Sequence, residues 1–491
     1  MLPSHILQQL RLPDRYERLF EQLGPQVAHI LVDPEQGTLD SLERAAFAIQ
    51  TRDEGLLIPV YGRSGVGKTT LLDNLTHFLP SYYTQTLNYE GAISFDALLK
   101  EASERIKTYT VNEQRILPIN IDHRENAPPS DSELAEIKRF LRTAKLPIRV
   151  AIFWPDTNKS NVEELTSRYV TITGDSPIPL PLTVAGPAKE SWVHIAQNTL
   201  QLANDIESLE NLGVDPADYD PEQYSTLGGF LRQLSTDFDN IRFTLQKETR
   251  QPLYLIIVFP SESQEPGILT QLTSSSKYGL LDPHALVGVT PNSEVGRWWS
   301  TRRGLLTRAV VQLNAHALFL PPGVSVGILR KYGPPDVQNK LKDVNVKSLS
   351  TSRLIRDLSR SDFGKHLTGA EVHAYESRGT PAQSSVVAYR EVANLGLIQG
   401  KDKSLNEAVG QALADCLPGL GIESRRVEVE KQLDFCSLIP DNSIYSPVGV
   451  VCLEYHWRAG DFLRSRSRSG VAQYILKKLR DYARQLQWTA D

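Results

Sequence analysis

Leu56-Leu57-Ile58-Pro59-Val60-Tyr61-Gly62-Arg63-Ser64-Gly65-Val66-Gly67-Lys68-Thr69-Thr70-Leu71-Leu72-Asp73 decides how the first half of this chain folds. An apolar run of strand length meets a glycine-rich turn, and a helix-forming segment follows at once. Residues 62–69 fit G-x-x-x-x-G-K-[ST] in the setting that pattern needs, after a strand and at the opening of a helix. The glycines let the main chain from Gly62 through Arg63, Ser64, Gly65, Val66 and Gly67 to Thr70 curl its N–H groups round an anion. The helix start adds partial positive charge. Lys68 is placed to reach the β- and γ-phosphates of a bound triphosphate and to stabilise charge there, and Thr69 to ligate Mg²⁺.

Outward from this stretch, residues 1–50 carry helical periodicity at Ile6, Leu10, Leu19 and Leu23. Downstream, YYTQTLNY (82–89), ILPINID (116–122), IRVAIFW (148–154) and YVTIT (169–173) have strand patterns. FDALLKEASERI (95–106), the segment 132–144 and NVEELTS (161–167) have helical ones. Alternation of this kind predicts an open parallel sheet built by right-handed crossovers. Asp122 closes the run Ile116–Ile121, where a strand-end carboxylate would complete the Mg²⁺ shell begun by Thr69.

These residues resemble the P-loop NTPases. The order of helix 132–144 and strand 148–154 is similar to the AAA+-like (ASCE) branch, over about residues 50–200. The resemblance implies ATP and Mg²⁺ as cofactors, a polar sensor at Asp156-Thr157-Asn158, homo-oligomers formed through the NTPase domain, and an arginine finger for which Arg168 is the candidate. ATP is the default over GTP because no Asn/Thr-Lys-x-Asp guanine-reading motif is present. That family commonly has a glutamate after the strand-end aspartate. Here His123 takes the place, and Glu125 is the candidate to polarise the attacking water.

Length and composition set the frame. With 491 residues, 40% hydrophobic and 23% charged, the chain is globular and divides into roughly three domains at about 100–200 residues each. A net charge of −5 gives no global attraction to nucleic acid, but charge is segregated: 204–225 is acidic, while 331–365 and Arg464-Ser465-Arg466-Ser467-Arg468 are basic. Three cysteines (Cys416, Cys436, Cys452) without metal spacing fit a reducing, cytoplasmic setting. The N-terminus lacks a signal-peptide core, and no apolar run approaches about 18 residues, so no membrane partner is expected.

Beyond the NTPase core (51–185), residues 186–250 read as an acidic helical lid. LYLIIVF (253–259), ALVGVT (285–290) and AHALFL (315–320) mark a second α/β region over 251–334, either a separate element or an extension of the first sheet. Residues 335–402 are helical and basic, and from 350 to 400 they resemble a winged helix. The last segment, 403–491, reads as helix, strand (425–433), strand (435–439), turn (440–443), strand (449–455) and a long helix. The fold class expected is thus α/β throughout: a parallel-sheet P-loop domain with a lid, a middle α/β to winged-helix-like region, and a C-terminal α/β domain.

That last domain resembles the PD-(D/E)-x-K nuclease, or restriction-endonuclease-like, superfamily. The resemblance rests on Pro440-Asp441, on Glu454-Tyr455-His456, on the acidic helix at Glu407 and on Gln473 and Tyr474 in the final helix. It implies that Asp441 and Glu454 share a divalent ion that activates water against a phosphodiester. His456 stands where the motif has lysine, and Lys477 or Lys478 is the replacement within reach. The Arg464–Arg468 run offers phosphate contacts or is a solvated loop, and Trp298-Trp299 with Arg302 and Arg303 suit packing better than base stacking. Two functions follow as expectations. One is an ATP-binding and ATP-hydrolysing protein acting on DNA, in DNA processing or anti-phage defence, with a DNA-binding or DNA-cleaving C-terminal domain. The other is a nucleotide-gated signalling or scaffolding switch that recruits partner proteins and cuts nothing.

Overall fold

Why the first half alternates as it does is plain from burial: a parallel sheet is covered on both faces, so its strands are continuous apolar runs. The computed structural model describes residues 4–489 apart from 110–112, 123, 125–126, 144, 207, 249–250, 263–266, 371, 374–377, 399–400 and 461–466. Two units emerge. One comprises Leu12–Ala203 and Pro216–Asp237, the other Met1–Arg11, Asn204–Asp215 and Phe238–Asp491.

In the first unit, β1 (Leu56–Tyr61), β2 (Leu87–Asn88), β3 (Leu117–Asn120), β4 (Val150–Asp156) and β5 (Leu182–Thr183) are all parallel, in the order β2-β3-β4-β1-β5. β4 is therefore inserted between the strand that enters the phosphate loop and the strand that leads to Asp122. It is buried at every position. The helices α1 (Gln36–Arg52), α2 (Lys68–Asp73), α3 (Phe95–Ile106), α4 (Asp131–Thr143) and α5 (Lys159–Thr173) share one core with this sheet.

Three expectations fail here. YVTIT is the end of α5, not a strand: Val162, Leu165 and Tyr169 are buried at helical spacing, and Gly174, at φ +86°, stops the helix. The burial stripe outweighs the β-branched run. YYTQTLNY contracts to β2 and an isolated bridge from Tyr83 to Ile116. The expected lid is not one body either. It contains α6 (Trp192–Asn204), short 3₁₀ turns and α7 (Leu227–Glu248), and it is shared out between the two units.

The second unit holds β6 (Leu253–Pro260), β7 (His316–Leu320), β8 (Arg426–Val429), β9 (Asn442–Ser446) and β10 (Gly449–Tyr455), in the order β7-β6-β10-β9-β8. β6, β7 and β10 run parallel, and β9 is antiparallel to both its neighbours. Residues 251–334 and 403–491, separate bodies on sequence, thus complete a single sheet through the β6–β10 ladder. ALVGVT lies in the helix Pro283–Gly288 and the turn after it, capped by the Asp282 side chain with proline at the first position, a start signal that outranks the apolar run. FCSLI forms no strand, and the expected turn at 440–443 already contains the start of β9.

The winged-helix outline is not realised. The described residues of 335–402 contain no strand. With α8 (Pro322–Tyr332) and α12 (Lys403–Cys416), the helices α9 (Thr351–Arg360), α10 (Asp362–Thr368) and α11 (Gln383–Asn394) send Leu354, Leu358, Phe363 and Val392 into the same core as Val451, Leu453 and Tyr455 of β10. Strand alternation turns Cys452 and Glu454 the other way, toward Tyr482 of α13 (Arg468–Gln485). Trp299, fully buried, donates its indole N–H to the carbonyl of Leu476 on α13 at 2.9 Å, so this tryptophan packs. The guanidiniums of Arg302 and Arg484 lie over the Trp298 ring, at 4.6 and 5.8 Å from its centre. Among the described residues no helix is long and apolar enough to cross a membrane.

Candidate functional site

The phosphate loop has the backbone its glycines foretell. Gly65 and Gly67 sit at φ +79° and +99°, which a side chain would resist, and Gly67 caps the start of α2. Lys68 is 7% exposed, and its ammonium donates to the carbonyl of Gly62 at 2.8 Å, which holds it across the mouth of the loop. Thr69 Oγ1 donates to Asp122 Oδ2 at 3.2 Å. Two of the expected metal ligands, from the first turn of α2 and the end of β3, therefore face one point. A hydroxyl and a carboxylate on either side of an anion cradle fit Mg²⁺ bound with a triphosphate. The ion would neutralise charge on the β- and γ-phosphates.

A part of the site that the sequence did not disclose comes from residues 226–229. Gly228 donates its N–H to the carbonyl of Gly65 at 2.8 Å, and Thr226 Oγ1 accepts from Gly229 N at 3.2 Å, capping α7 against the loop. Beside the loop opens an apolar cavity of about 120 Å³. Leu31, Val32, Val184, Ile195, Leu227 and Leu231 line it, together with Val66 and Thr70 of the loop itself. No local motif marks this cavity, because its walls come from three distant segments. Its chemistry suits the flat face of a base whose phosphates lie on Gly62–Thr69.

Behind Thr69 and Asp122 lies a polar layer. Asn120 donates to Asn88 Oδ1 at 3.2 Å. The carboxyl of Asp73 is raised by burial first and then by the charge of Asp122, against a hydrogen bond from Asn88. At the tip of β4, Asp156 accepts from the backbone N–H of Asn158 at 2.8 Å and from the Asn161 amide at 3.3 Å, and its carbonyl accepts from Gly62 N at 3.4 Å. The expected sensor tip therefore adjoins the first residue of the loop. Arg168, the candidate finger, lies within α5 and pairs with the exposed Asp131 at 2.6 Å. Glu125 and His123 lie outside the described residues, as do Arg464, Ser465 and Arg466.

In the second unit, Asp441 and Glu454 do converge. Asp441 Oδ2 accepts from the backbone N–H of Tyr455 at 2.6 Å. Glu454 is 2% exposed, with one carboxylate oxygen on the Lys478 ammonium and the other accepting from Tyr482 OH at 2.7 Å. Lys478, not Lys477, is the lysine that reaches back; Lys477 is exposed on the outer face of α13. Burial pulls the Lys478 ammonium down, but Glu454, Tyr474 and Asp441 outweigh it and leave the group raised. Asp441 is pushed up to about 7 by burial, then by the charge of Glu454, with Lys478 opposing. His456 stacks on Tyr474 at 3.6 Å and is brought down to about 3 by burial and by Arg458 and Lys478, so it is neutral at physiological pH.

Glu407 is exposed, and its helix contributes Asn406 instead, which accepts from the Trp457 indole N–H at 2.9 Å. Among the described residues no group of three or more His, Cys, Asp and Glu side chains is arranged to hold a metal. As folded, the Glu454 carboxylate is filled by an ammonium and a phenol, so the residues present do not fit a divalent ion at this position.

No protein-family model matches the chain, and no curated protein does. Among solved structures, two variants of RuvB from Thermotoga maritima are similar to it, each 14% identical. The first has a TM-score of 0.26, over 44% of this chain and 70% of that one. The second has a TM-score of 0.24, over 46% and 66%. A likeness this slight carries no argument, and the nucleotide site rests on its own geometry.

Proposed function

We propose that this chain binds ATP with Mg²⁺ at Gly62–Thr70 and Asp122, hydrolyses it, and uses it to act on DNA, in DNA processing or anti-phage defence. One observation carries the nucleotide reading: the Lys68 ammonium, the Thr69–Asp122 pair and an apolar base-sized cavity converge on a single anion cradle. Glu125 is the residue proposed to orient the water. Assembly of several chains through the NTPase unit is proposed with it, as is a cytoplasmic location.

DNA as the partner is supported by the meeting of Asp441, Glu454 and Lys478, an acid-and-lysine set like that of the nuclease-like domains this segment resembles. A specific observation favours a second reading for that domain. With both Glu454 oxygens engaged, it grips DNA or a partner protein without cutting, and ATP occupancy acts as a switch.

ATP turnover by purified protein, with and without double-stranded DNA, tests the proposal. Wild type is expected to turn over ATP faster with DNA, and Lys68→Ala to lose turnover altogether. Binding of ATP without turnover on any DNA would transfer the conclusion to the switch. Mg²⁺-dependent cutting of plasmid that disappears in Asp441→Ala and Glu454→Ala would restore cleavage to the second unit.

A further inference from the structure

The second unit has a cleft that neither the phosphate loop nor the Glu454 cluster uses. It lies beyond the carboxyl end of β7, between the start of α8, the segment 344–349 and the corner where α9 meets α10, and encloses about 610 Å³. That is within the range of roughly 300–1,000 Å³ typical of small-molecule sites. The outlet of parallel strands is also where α/β sheets commonly take ligands.

Its lining is strongly cationic. Lys347, Arg353, Arg360, Lys365 and Arg378 border it, and the carboxylates among its walls are Asp357 and Asp362, so five cations against two acids leave three positive charges in surplus. Arg378 is held in place: it pairs with Asp362, itself 3% exposed, at 3.3 Å, and its guanidinium lies 5.1 Å over the ring of Tyr278. Arg353 and Arg360 are exposed on α9, on the same side of the helix as the cleft. Another wall is apolar, from Val324, Val344, Val346 and Leu349, and Ser384 and Ser385 add hydroxyls at the opening of α11. Planar guanidinium groups facing an apolar wall match a ligand with phosphate at one end and a ring at the other.

We propose that this cleft binds a phosphate-bearing small molecule of nucleotide size, a second ligand distinct from that of the phosphate loop. Its phosphate lies on Arg353, Arg360 and Arg378, and its ring against Val344, Val346 and Leu349.

The test uses the full chain carrying Lys68→Ala, which disables the phosphate loop, with 5′-AMP and inorganic pyrophosphate as separate probes. Either probe is expected to raise the melting temperature. Adding Arg353→Glu and Arg360→Glu, both at exposed positions, is expected to weaken binding at least about tenfold, which is about 1.4 kcal/mol. The melting temperature without ligand checks that the variant folds. Lys347→Glu, outside any helix, serves in its place if it does not. No shift with either probe, or an equal shift in both chains, would overturn the proposal. So would charge-dependent binding of a short DNA duplex alone, which would make the cleft a nucleic-acid contact.

Discussion

A Cβ added at Gly228 would fall 2.7 Å from the Cα of Gly65, backbone against backbone, with no flexible side chain to yield. Gly228→Ala is therefore expected to lower ATP affinity by at least about tenfold, measured by equilibrium titration, although residue 228 lies far outside the motif. Asp441 gives a prediction in pH. Its folded value of about 7 lies above the ordinary 3.8, so between these values the folded state keeps a proton that the unfolded chain has shed. This group therefore favours folding at low pH, and its contribution falls as pH rises through that window. In Asp441→Asn, thermal melts from pH 4 to 8 are expected to show a gain over wild type that grows to about pH 7 and then levels. At this scale the phosphate loop was legible because the requirements of a phosphate cradle are local. The choice of Lys478 over Lys477 was also within reach. Ile475, Leu479 and Tyr482 define the buried stripe of the last helix, and only residue 478 flanks it.

Elements were legible where one signal stood alone and misread where two competed. Strand-like YVTIT sits on the end of a helix whose stripe began earlier, and ALVGVT follows an Asp-Pro start that decides it. β9 was hidden because its polar residues are buried, Asn442 and Ser446 with hydrogen-bond partners. Asn442, fully buried, donates to the Asn406 carbonyl at 3.2 Å and accepts from Tyr455 OH at 2.9 Å, so it ties β9 to α12 and β10. Asn442→Leu would strand both groups. It is expected to cost about 1–3 kcal/mol, read from urea melts, with Tyr455→Phe costing less because it leaves the Asn406 bond intact.

For the whole molecule, the chain passes between the two units at residues 11/12, 203/204, 215/216 and 237/238. Nothing within 253–260 announces a partner at 449–455, and nothing in the phosphate loop announces 226–229, so sequence order misled where elements pair at long range. The boundary gives a direct test. Residues 12–237 made alone are expected to bind ATP at least about tenfold more tightly than residues 12–203, which lack Thr226–Gly229, and titration of both fragments checks it. The second unit is completed by the other end of the chain. His5, buried, holds its Nε2 3.1 Å from the carbonyl of Leu253, 248 residues away, and accepts from Leu7 N at 3.2 Å, while Arg242 donates to the carbonyl of Leu10 at 2.6 Å. During synthesis at roughly 5–20 residues per second, the unit that carries the phosphate loop has its whole sequence once residue 237 is made. The segment around His5 must wait on the order of ten seconds or longer for its strand. In the nascent chain, the first sheet and its phosphate loop can therefore form before the second sheet exists, while the apolar side chains of Ile6 and Leu7 still lack the strand they pack beside.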